Sequence, residues 1–222
     1  MLILTQGTKG MKLKIGIIGS GKLASCVIDA LNTSYDAQLS GIYSQRTDIN
    51  ATQNITQLQE DSDILIDCST NGFDARADKI NKPLVIATTQ EYEKLPNVPI
   101  LVLPNGSIGW NCVHMMVEKL SKLGKYEFII TDIHHKHKKD APSGTARRLI
   151  KALEGSNVKC SSHRVGEVFG LHQIIAIGEH ETIKIEHEAS SRAAFGTGLI
   201  SAAKWLHGKP NSTYTANDWL KK

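Results

Sequence analysis

The sequence predicts an α/β fold with a Rossmann-type dinucleotide-binding domain and a smaller α+β domain that has a mostly antiparallel sheet. Three observations predict it. Short apolar strands alternate with helical segments over about the first hundred residues, a glycine-rich turn follows the first strand, and β-rich runs without helices follow Gly155. The 222 residues are 41% hydrophobic and 22% charged, a globular composition with enough length for one large domain or two small ones.

The first half of the chain carries the parallel-sheet pattern. An apolar run at 13–19 predicts a buried strand, and the Ser20-Gly21 turn leads from it into a helix with apolar residues at helical spacing. Further strands are predicted at 39–43, 63–67, 84–87 and 100–103, with a helical or turn segment at 73–80. Strands that alternate with helices in this way are typical of a parallel sheet.

The second half changes from this alternation to consecutive strands. A helix is predicted over 109–123, a strand over 126–133, and a helix that Ser143 caps and that ends near Leu153. Strands are then predicted at 163–168, 172–177 and 181–188, and a helix at 195–206. We expect the C-terminal segment to pack back onto the first domain, which gives one domain of residues 11–107 with 193–222 and a second domain of 108–192.

Charge and cysteine content narrow the class of protein. The formal charge of +4 is mild and there is no long Lys/Arg block, so we expect neither nucleic acid nor a membrane surface as a partner. The four cysteines are far apart with no CxxC pair, which favours reduced thiols in the cytoplasm. No apolar run has the length of a membrane span, and residues 1–10 lack the apolar core of a signal peptide, so Met11 could be the true start.

The turn after the first strand fits a dinucleotide-binding fingerprint. Gly19-Ser20-Gly21-Lys22-Leu23-Ala24 matches GxGxxA, in which the first glycine permits the tight turn and the second lets a pyrophosphate approach the backbone. The small third residue lets the helix pack closely on the sheet. The alternative is a glycine-rich strand end that binds no nucleotide.

The end of the second strand bears on coenzyme choice. An NAD-selective site offers Asp or Glu to the adenosine ribose at this position, whereas this chain has Tyr43-Ser44-Gln45-Arg46. Arg46 could pair with a 2′-phosphate and Ser44 could hydrogen-bond it, so we predict NADPH in preference to NADH. The alternative is that Arg46 is a solvated loop charge.

Residues 134–146 combine acids with an anion site. Three imidazoles and three ammoniums precede the helix that Ser143 caps, and the backbone N–H groups of Gly144 and Thr145 at its start could hold a carboxylate. A metal site is one alternative, since His135 and His137 would share a face on a continued strand. Three interleaved lysines would repel a cation, so we expect no metal. A solvated basic loop is the other alternative.

The same segment closely resembles the signature of the dihydrodipicolinate reductase family. Its fixed letters, His-His-x-x-Lys-x-Asp-Ala-Pro-Ser-Gly-Thr-Ala, are complete in residues 134–146, and the resemblance runs from about Leu13 to Leu206. By this resemblance, coenzyme contacts also follow two later strands, at Ala87, Thr88, Thr89, Pro104, Asn105 and Gly106. Gly106 stands where the family has an aromatic residue.

The resemblance implies an activity and roles for the residues. His134 and Lys138 would be the acid and proton donor, His135 would contact substrate, and Gly144 and Thr145 would hold a substrate carboxylate. The implied reaction is hydride transfer from NADPH or NADH to a dicarboxylate heterocycle in lysine and diaminopimelate biosynthesis. The implied assembly is a homotetramer, with 108–192 serving substrate binding and oligomerisation. Two rivals are another Rossmann dehydrogenase, acting on a semialdehyde or keto acid, and a nucleotide sensor without turnover.

Overall fold

The protein is described by a computed structural model that covers residues 11–70, 74–88 and 92–221. Residues 1–10 and Thr89 lie outside these described residues. The strands are β1 Leu13–Ile18, β2 Ala37–Tyr43, β3 Ile64–Asp67, β4 Leu84–Ile86, β5 Ile100–Val102, β6 Glu127–His134, β7 Val158–Arg164, β8 Leu171–Ile177, β9 Thr182–Glu188 and β10 Thr213–Thr215. The helices are α1 Lys22–Asn32, α2 Ile55–Glu60, α3 Asp74–Ala77, α4 Ile108–Lys122, α5 Gly144–Ala152, α6 Ala193–Leu206 and α7 Ala216–Leu220.

The larger sheet has six parallel strands in the order β10-β5-β4-β3-β1-β2. Its central strands β3 and β4 are short and fully buried because helices cover both faces of the sheet. The chain passes from β2 across β1 to β3, so the strand order reverses beside β1. In open α/β sheets a ligand crevice forms at the carboxyl ends of strands beside such a reversal.

Helix α6 brings the chain back to the larger sheet, and its backbone lies in direct contact with that of α1. It packs with α1 on one face of that sheet, while α2 and α3 lie over the other face. A Cβ built on Gly196 would overlap the carbonyl oxygen of Cys26 in α1. Glycine is therefore required there, because the two backbones touch with no room for a side chain.

The smaller sheet has the order β7-β6-β8-β9, with β6 parallel to β7 and the other two pairs antiparallel. The prediction of a mostly antiparallel second sheet is confirmed. Helices α4 and α5 bury one face of this sheet around Phe128 and Ile130. Apolar residues on the opposite face stay open to solvent, with Ile129 38% and Ile177 40% exposed. The division of the chain into two domains at 107/108 and 192/193 stays a prediction.

Most predicted elements were found, and one was misplaced. The strand predicted at 163–168 lies at Val158–Arg164 instead, and Gly166 with φ +56° belongs to the turn that follows it. The sequence Val-Lys-Cys-Ser-Ser-His-Arg carries no apolar alternation, because β7 is an edge strand with few buried side chains. Within the described part of the chain, no helix is both long and apolar enough to cross a membrane.

Candidate active site

A cavity of about 310 Å³ opens at the carboxyl ends of β1, β2 and β3. The predicted GxGxxA turn lines it: Gly19 has φ +103°, and a Cβ on it would lie 3.0 Å from the backbone of Cys68 and Ser69. A Cβ on Gly21 would meet nothing within 4 Å, so the backbone is open at that position. The turn thus has the bare, accessible backbone that a pyrophosphate needs.

Helix α1 presents its first turn to this cavity. Its N-cap is Gly21, which supplies no side-chain cap, and Lys22 and Leu23 are its first two residues. The leading N–H groups of a helix lack partners within the helix and attract anions. The hydroxyls of Ser20 and Ser44 lie 2.9 Å apart and join the turn to the end of β2.

Two arginines line the cavity, and the sequence analysis selected one of them. Arg46 makes an ion pair of 2.5 Å with Asp48, and both side chains are more than half exposed. Arg76 was missed; its guanidinium donates to the hydroxyl of Ser69 at 2.6 Å and pairs with the buried carboxylate of Asp67 at 3.3 Å. No motif marks Arg76 in the sequence, since α3 reaches the cavity only through the fold.

The two later loops lie at the same edge of the sheet, farther along it. Ala87 and Thr88 follow β4 and are buried, and Pro104 and Asn105 follow β5. These residues do not line the 310 Å³ cavity but continue the carboxyl edge from it towards α4. The sequence prediction for Thr89 falls outside the described residues.

The structure explains why a glycine stands at position 106, where the family has an aromatic residue. A Cβ on it would overlap the backbone carbonyl of Phe195 in α6. The loop is fixed by hydrogen bonds in which the amide of Asn111 donates to the carbonyls of Asn105 and Ser107, each at 2.7 Å. The hydroxyl of Ser107 caps α4 by accepting from the N–H of Trp110.

Strand β6 ends at His134, which is 7% exposed. Its Nδ1 lies 2.8 Å from Oδ1 of Asp132, a fully buried residue two positions earlier on the same face of the strand. The same Asp132 oxygen lies 3.4 Å from Nε2 of His172 on β8. Asp132 was missed in the sequence, although the two-residue spacing of a strand was an available signal.

The other oxygen of Asp132 is surrounded by donors. Oδ2 accepts from the backbone N–H of Ser143 at 2.9 Å, from the Ser162 hydroxyl at 3.1 Å and from the Arg164 guanidinium at 3.1 Å. Burial opposes the charge on this carboxyl, but the contacts with both imidazoles and with Ser143 hold its pKa well below the usual range. Asp132 is therefore an anion at neutral pH.

The residues after His134 form a turn rather than a continued strand. The N–H of Lys138 donates to the carbonyl of His135 at 3.1 Å, and the rings of His135 and His137 are 6.4 Å apart. The continued strand on which these two imidazoles would have shared a face, as the metal-site alternative required, is therefore not formed. Lys138 Nζ pairs with Asp140 at 2.7 Å, and its side chain is 24% exposed.

Helix α5 begins as predicted. The Ser143 hydroxyl accepts from the N–H of Ala146 at 3.1 Å, and the Ser143 carbonyl accepts from that of Arg147 at 2.9 Å. Gly144 and Thr145 are the first two residues of this helix, and the hydrogen bonds of the described residues include none donated by their N–H groups. The two amides can take a carboxylate at a position favoured by the helix dipole.

One contact joins the smaller sheet to the loop after β5. Nε2 of His187 on β9 lies 3.3 Å from the hydroxyl of Ser107, and His187 stands opposite His172 in the β8–β9 pairing. Burial, with the neighbouring His172, lowers the pKa of His187. Strand β9 and the predicted coenzyme loop are therefore joined by a short polar contact.

Comparison with known proteins agrees with this geometry. Residues 109–220 match the family model described as dihydrodipicolinate reductase, C-terminus. The 4-hydroxy-tetrahydrodipicolinate reductase of Rickettsia rickettsii (strain Sheila Smith) is 32% identical over 243 residues, covering 94% of this chain and 99% of that protein.

Solved structures share the fold. The dipicolinate-bound dihydrodipicolinate reductase from Paenisporosarcina sp. TG-14 superposes with a TM-score of 0.76 at 17% identity, covering 93% of this chain and 99% of that one. An engineered D-amino acid dehydrogenase bound to NADP⁺ gives 0.60 at 12% identity, covering 93% of each chain. By its sequence match over nearly its whole length, this chain belongs to the dihydrodipicolinate reductase family.

Proposed function

We propose that this protein catalyses the NAD(P)H-dependent reduction of the dehydrated heterocycle from 4-hydroxy-tetrahydrodipicolinate, giving tetrahydrodipicolinate. It is an oxidoreductase of lysine and diaminopimelate biosynthesis, as its family membership implies. The observation that carries the proposal is the convergence of His134, Lys138 and the N-terminus of α5 within one segment at the end of β6. A small dicarboxylate would use the acids and the anion site together.

Substrate binding is assigned to the start of α5 and to His135. The N–H groups of Gly144 and Thr145, together with the Thr145 hydroxyl, would hold one carboxylate, because a helix N-terminus favours an anion. His135 lies in the turn that follows β6, half-buried, and would contact the same ligand. The ammonium of Lys138 adds positive charge at this end of the sheet.

The acid groups would complete the reaction. A nicotinamide coenzyme held by the Gly19–Gly21 turn and the first turn of α1 would supply the hydride that adds to the conjugated imine ring of the substrate. The electron pair displaced by the hydride resides on the enamine, and Lys138 would transfer a proton from Nζ to the ring carbon that carries this charge. His134 would stabilise the developing anion from the end of β6. The Nζ of Lys138 is held 2.7 Å from the carboxylate of Asp140.

The nicotinamide coenzyme would lie along the carboxyl edge of the larger sheet. The bare backbone of Gly19 and Gly21 and the leading turn of α1 suit its pyrophosphate. NADPH is the proposed preference over NADH, since Arg46 and Ser44 line the cavity beside β2 where a 2′-phosphate would lie and no carboxylate follows Tyr43 directly. No metal is needed for this chemistry.

A homotetramer is the proposed assembly. The smaller sheet has an uncovered face with half-exposed apolar residues, and β7 and β9 are its open edges. Exposed apolar surface of this kind is typical of interfaces between subunits.

The function is tested by coenzyme oxidation in the presence of freshly generated heterocycle. A semialdehyde or keto-acid dehydrogenase would oxidise NADPH with those substrates instead, and a nucleotide sensor would bind the coenzyme and oxidise none. Each rival therefore gives a different pattern of rates in the same assay.

A further inference from the structure

We propose that Asp132 is a positioning residue that acts through His134, fixing the orientation of the imidazole from its Nδ1 side. This inference rests on the proposed function, in which His134 takes part in the reduction. It assigns a role to a carboxylate outside the signature segment, at the buried end of the same strand.

The contact between Asp132 and His134 is short and shielded from solvent. Asp132 Oδ1 lies 2.8 Å from His134 Nδ1, and the exposed fractions of the two residues are 0% and 7%. In a site shielded from water, a carboxylate at this distance interacts more strongly with an imidazolium than it would in solvent. Residues i and i+2 of a strand lie on one face, so the contact between Asp132 and His134 in β6 does not depend on the conformation of a loop.

Asp132 is itself held so that only one oxygen is left for the imidazole. Oδ2 is occupied by three donors from two elements: Ser143 at the start of α5, and Ser162 and Arg164 on β7. A carboxylate anchored in this way cannot rotate away from His134 without breaking several hydrogen bonds. The arrangement resembles in logic the orienting carboxylate of a catalytic triad, which fixes the tautomer and the direction of its histidine.

The opposite edge of the ring is also constrained. A Cβ built on Gly170 would lie 3.0 Å from Nε2 of His134, so the backbone of Gly170 packs against the edge of the ring that does not face Asp132. The ring therefore lies between Asp132 on its Nδ1 side and Gly170 on its Nε2 side. Only a ring fixed in this orientation presents the same nitrogen to a ligand in every turnover.

A metal centre is the competing explanation of this cluster. Asp132, His134 and His172 place one ligand atom each within 4.8 Å of one another. However, the guanidinium of Arg164 lies 3.1 Å from the same carboxylate and would repel a divalent cation. The carboxylate already has a cationic partner, so we assign it to the imidazole rather than to an ion.

The experiment is a double-mutant cycle on the full chain with Asp132→Asn, His134→Gln and the double variant. If Asp132 acts through His134, Asp132→Asn lowers kcat about 10²-fold in the wild-type background and less than about twofold in the His134→Gln background. KM for substrate should rise less than kcat falls. Asp63→Asn is the matched control, since Asp63 accepts the N–H of Lys14 at 2.8 Å far from the acid segment, and its kcat should stay unchanged.

Two further readouts separate positioning from folding. The ¹⁵N spectrum of labelled His134 should report a proton on Nδ1 in the neutral ring of the wild type, and loss of that preference in Asp132→Asn. Equal losses of kcat in both backgrounds, or a zinc ion that survives dialysis and is needed for turnover, would overturn the inference. If the wild type itself oxidises no coenzyme in the reductase assay, the proposed function fails, whereas an active wild type with additive losses refutes the role of Asp132 alone.

Discussion

Gly198 in α6 lies against the carbonyl oxygen of Gly106 so closely that a Cβ on Gly198 would overlap that oxygen. The loop after β5 and the returning helix thus touch backbone to backbone. Because this loop carries Asn105 and precedes the α4 cap at Ser107, the close contact fixes the part of the sheet edge that faces His187. Two glycines far apart in sequence therefore determine one wall of the site.

Gly198→Ala should push the loop and α6 apart. Overpacking of this kind costs about 1–3 kcal/mol of unfolding free energy, and we expect a loss in that range by urea denaturation. Thr197→Ala, at the exposed neighbouring position of the same helix, should change stability by less than about 0.5 kcal/mol. A Gly198→Ala protein as stable as Thr197→Ala would show that the two backbones are not in contact.

Lys138→Ala tests the proton donor. The side chain lies in the turn after β6, away from the cavity beside β1, so NADPH affinity measured by fluorescence titration should stay within about twofold. Turnover should fall by about 10²- to 10⁴-fold, the range typical of a lost general acid. Lys139→Ala, an exposed neighbour, serves as control and should keep its rate. A Lys138→Ala rate near that of the wild type would refute the assignment.

Coenzyme choice should respond in opposite directions to two changes in one ion pair. Arg46→Ala removes the cation expected to meet a 2′-phosphate, so kcat/KM for NADPH should fall about tenfold or more while that for NADH changes little. Asp48→Asn frees the same guanidinium from its partner and should raise the NADPH to NADH ratio a few-fold. If neither change alters the ratio, Arg46 is a solvated loop charge.

The charged carboxylate of Asp132 should make the free energy of unfolding depend on pH in the acid range. Its pKa in the folded protein is lowered, so its contribution is fully present above the ordinary value near 3.9 and is lost as pH falls below that value towards the folded pKa. Between pH 6 and pH 3 the wild type should therefore lose more unfolding free energy than Asp132→Asn. The limiting slope is about 1.4 kcal/mol per pH unit.

The control for this comparison is Asp78→Asn, which removes a carboxylate that is 68% exposed in its pair with Lys94. Its stability should follow the wild-type pH dependence. Parallel curves for the wild type and Asp132→Asn would mean that the Asp132 carboxylate is not preferentially charged in the folded state.

Assembly through the smaller sheet is testable by light scattering. Ile129→Lys places a charge on the uncovered face, where the side chain is 38% exposed, so it should split a tetramer with little change in the fold of each subunit. Lys79→Ala, after α3 and away from the smaller sheet, removes an exposed charge and should leave the mass unchanged. A wild-type mass of one subunit would refute the proposed homotetramer.

The features predicted correctly from sequence are those with a local cause. Strand β1, the Gly19–Gly21 turn and α1 follow one another within a few residues, and the Ser143 cap is read from one residue and the helix after it. The alternation of short apolar runs with helical segments was enough to predict the parallel sheet.

The features that were missed depend on tertiary pairing. Strand β7 is polar, and its pairing with β6 holds it in the sheet. Its sequence therefore has no apolar periodicity from which a strand could be predicted. Arg164 and His172 reach the carboxylate of Asp132 only because β7 and β8 pair with β6, and nothing in the sequence indicated that pairing. Arg76 reaches the cavity beside β1 only through the packing of α3.

The most direct test of the reductase activity is a coupled assay in which pyruvate and aspartate semialdehyde are converted by the synthase into the unstable heterocycle in the same cuvette. Oxidation of NADPH and of NADH is followed at 340 nm, with and without this protein. We predict oxidation that requires both the protein and the fresh heterocycle, and that is faster with NADPH. Coenzyme that binds but is not consumed under these conditions would contradict the reductase activity while leaving the dinucleotide-binding fold intact.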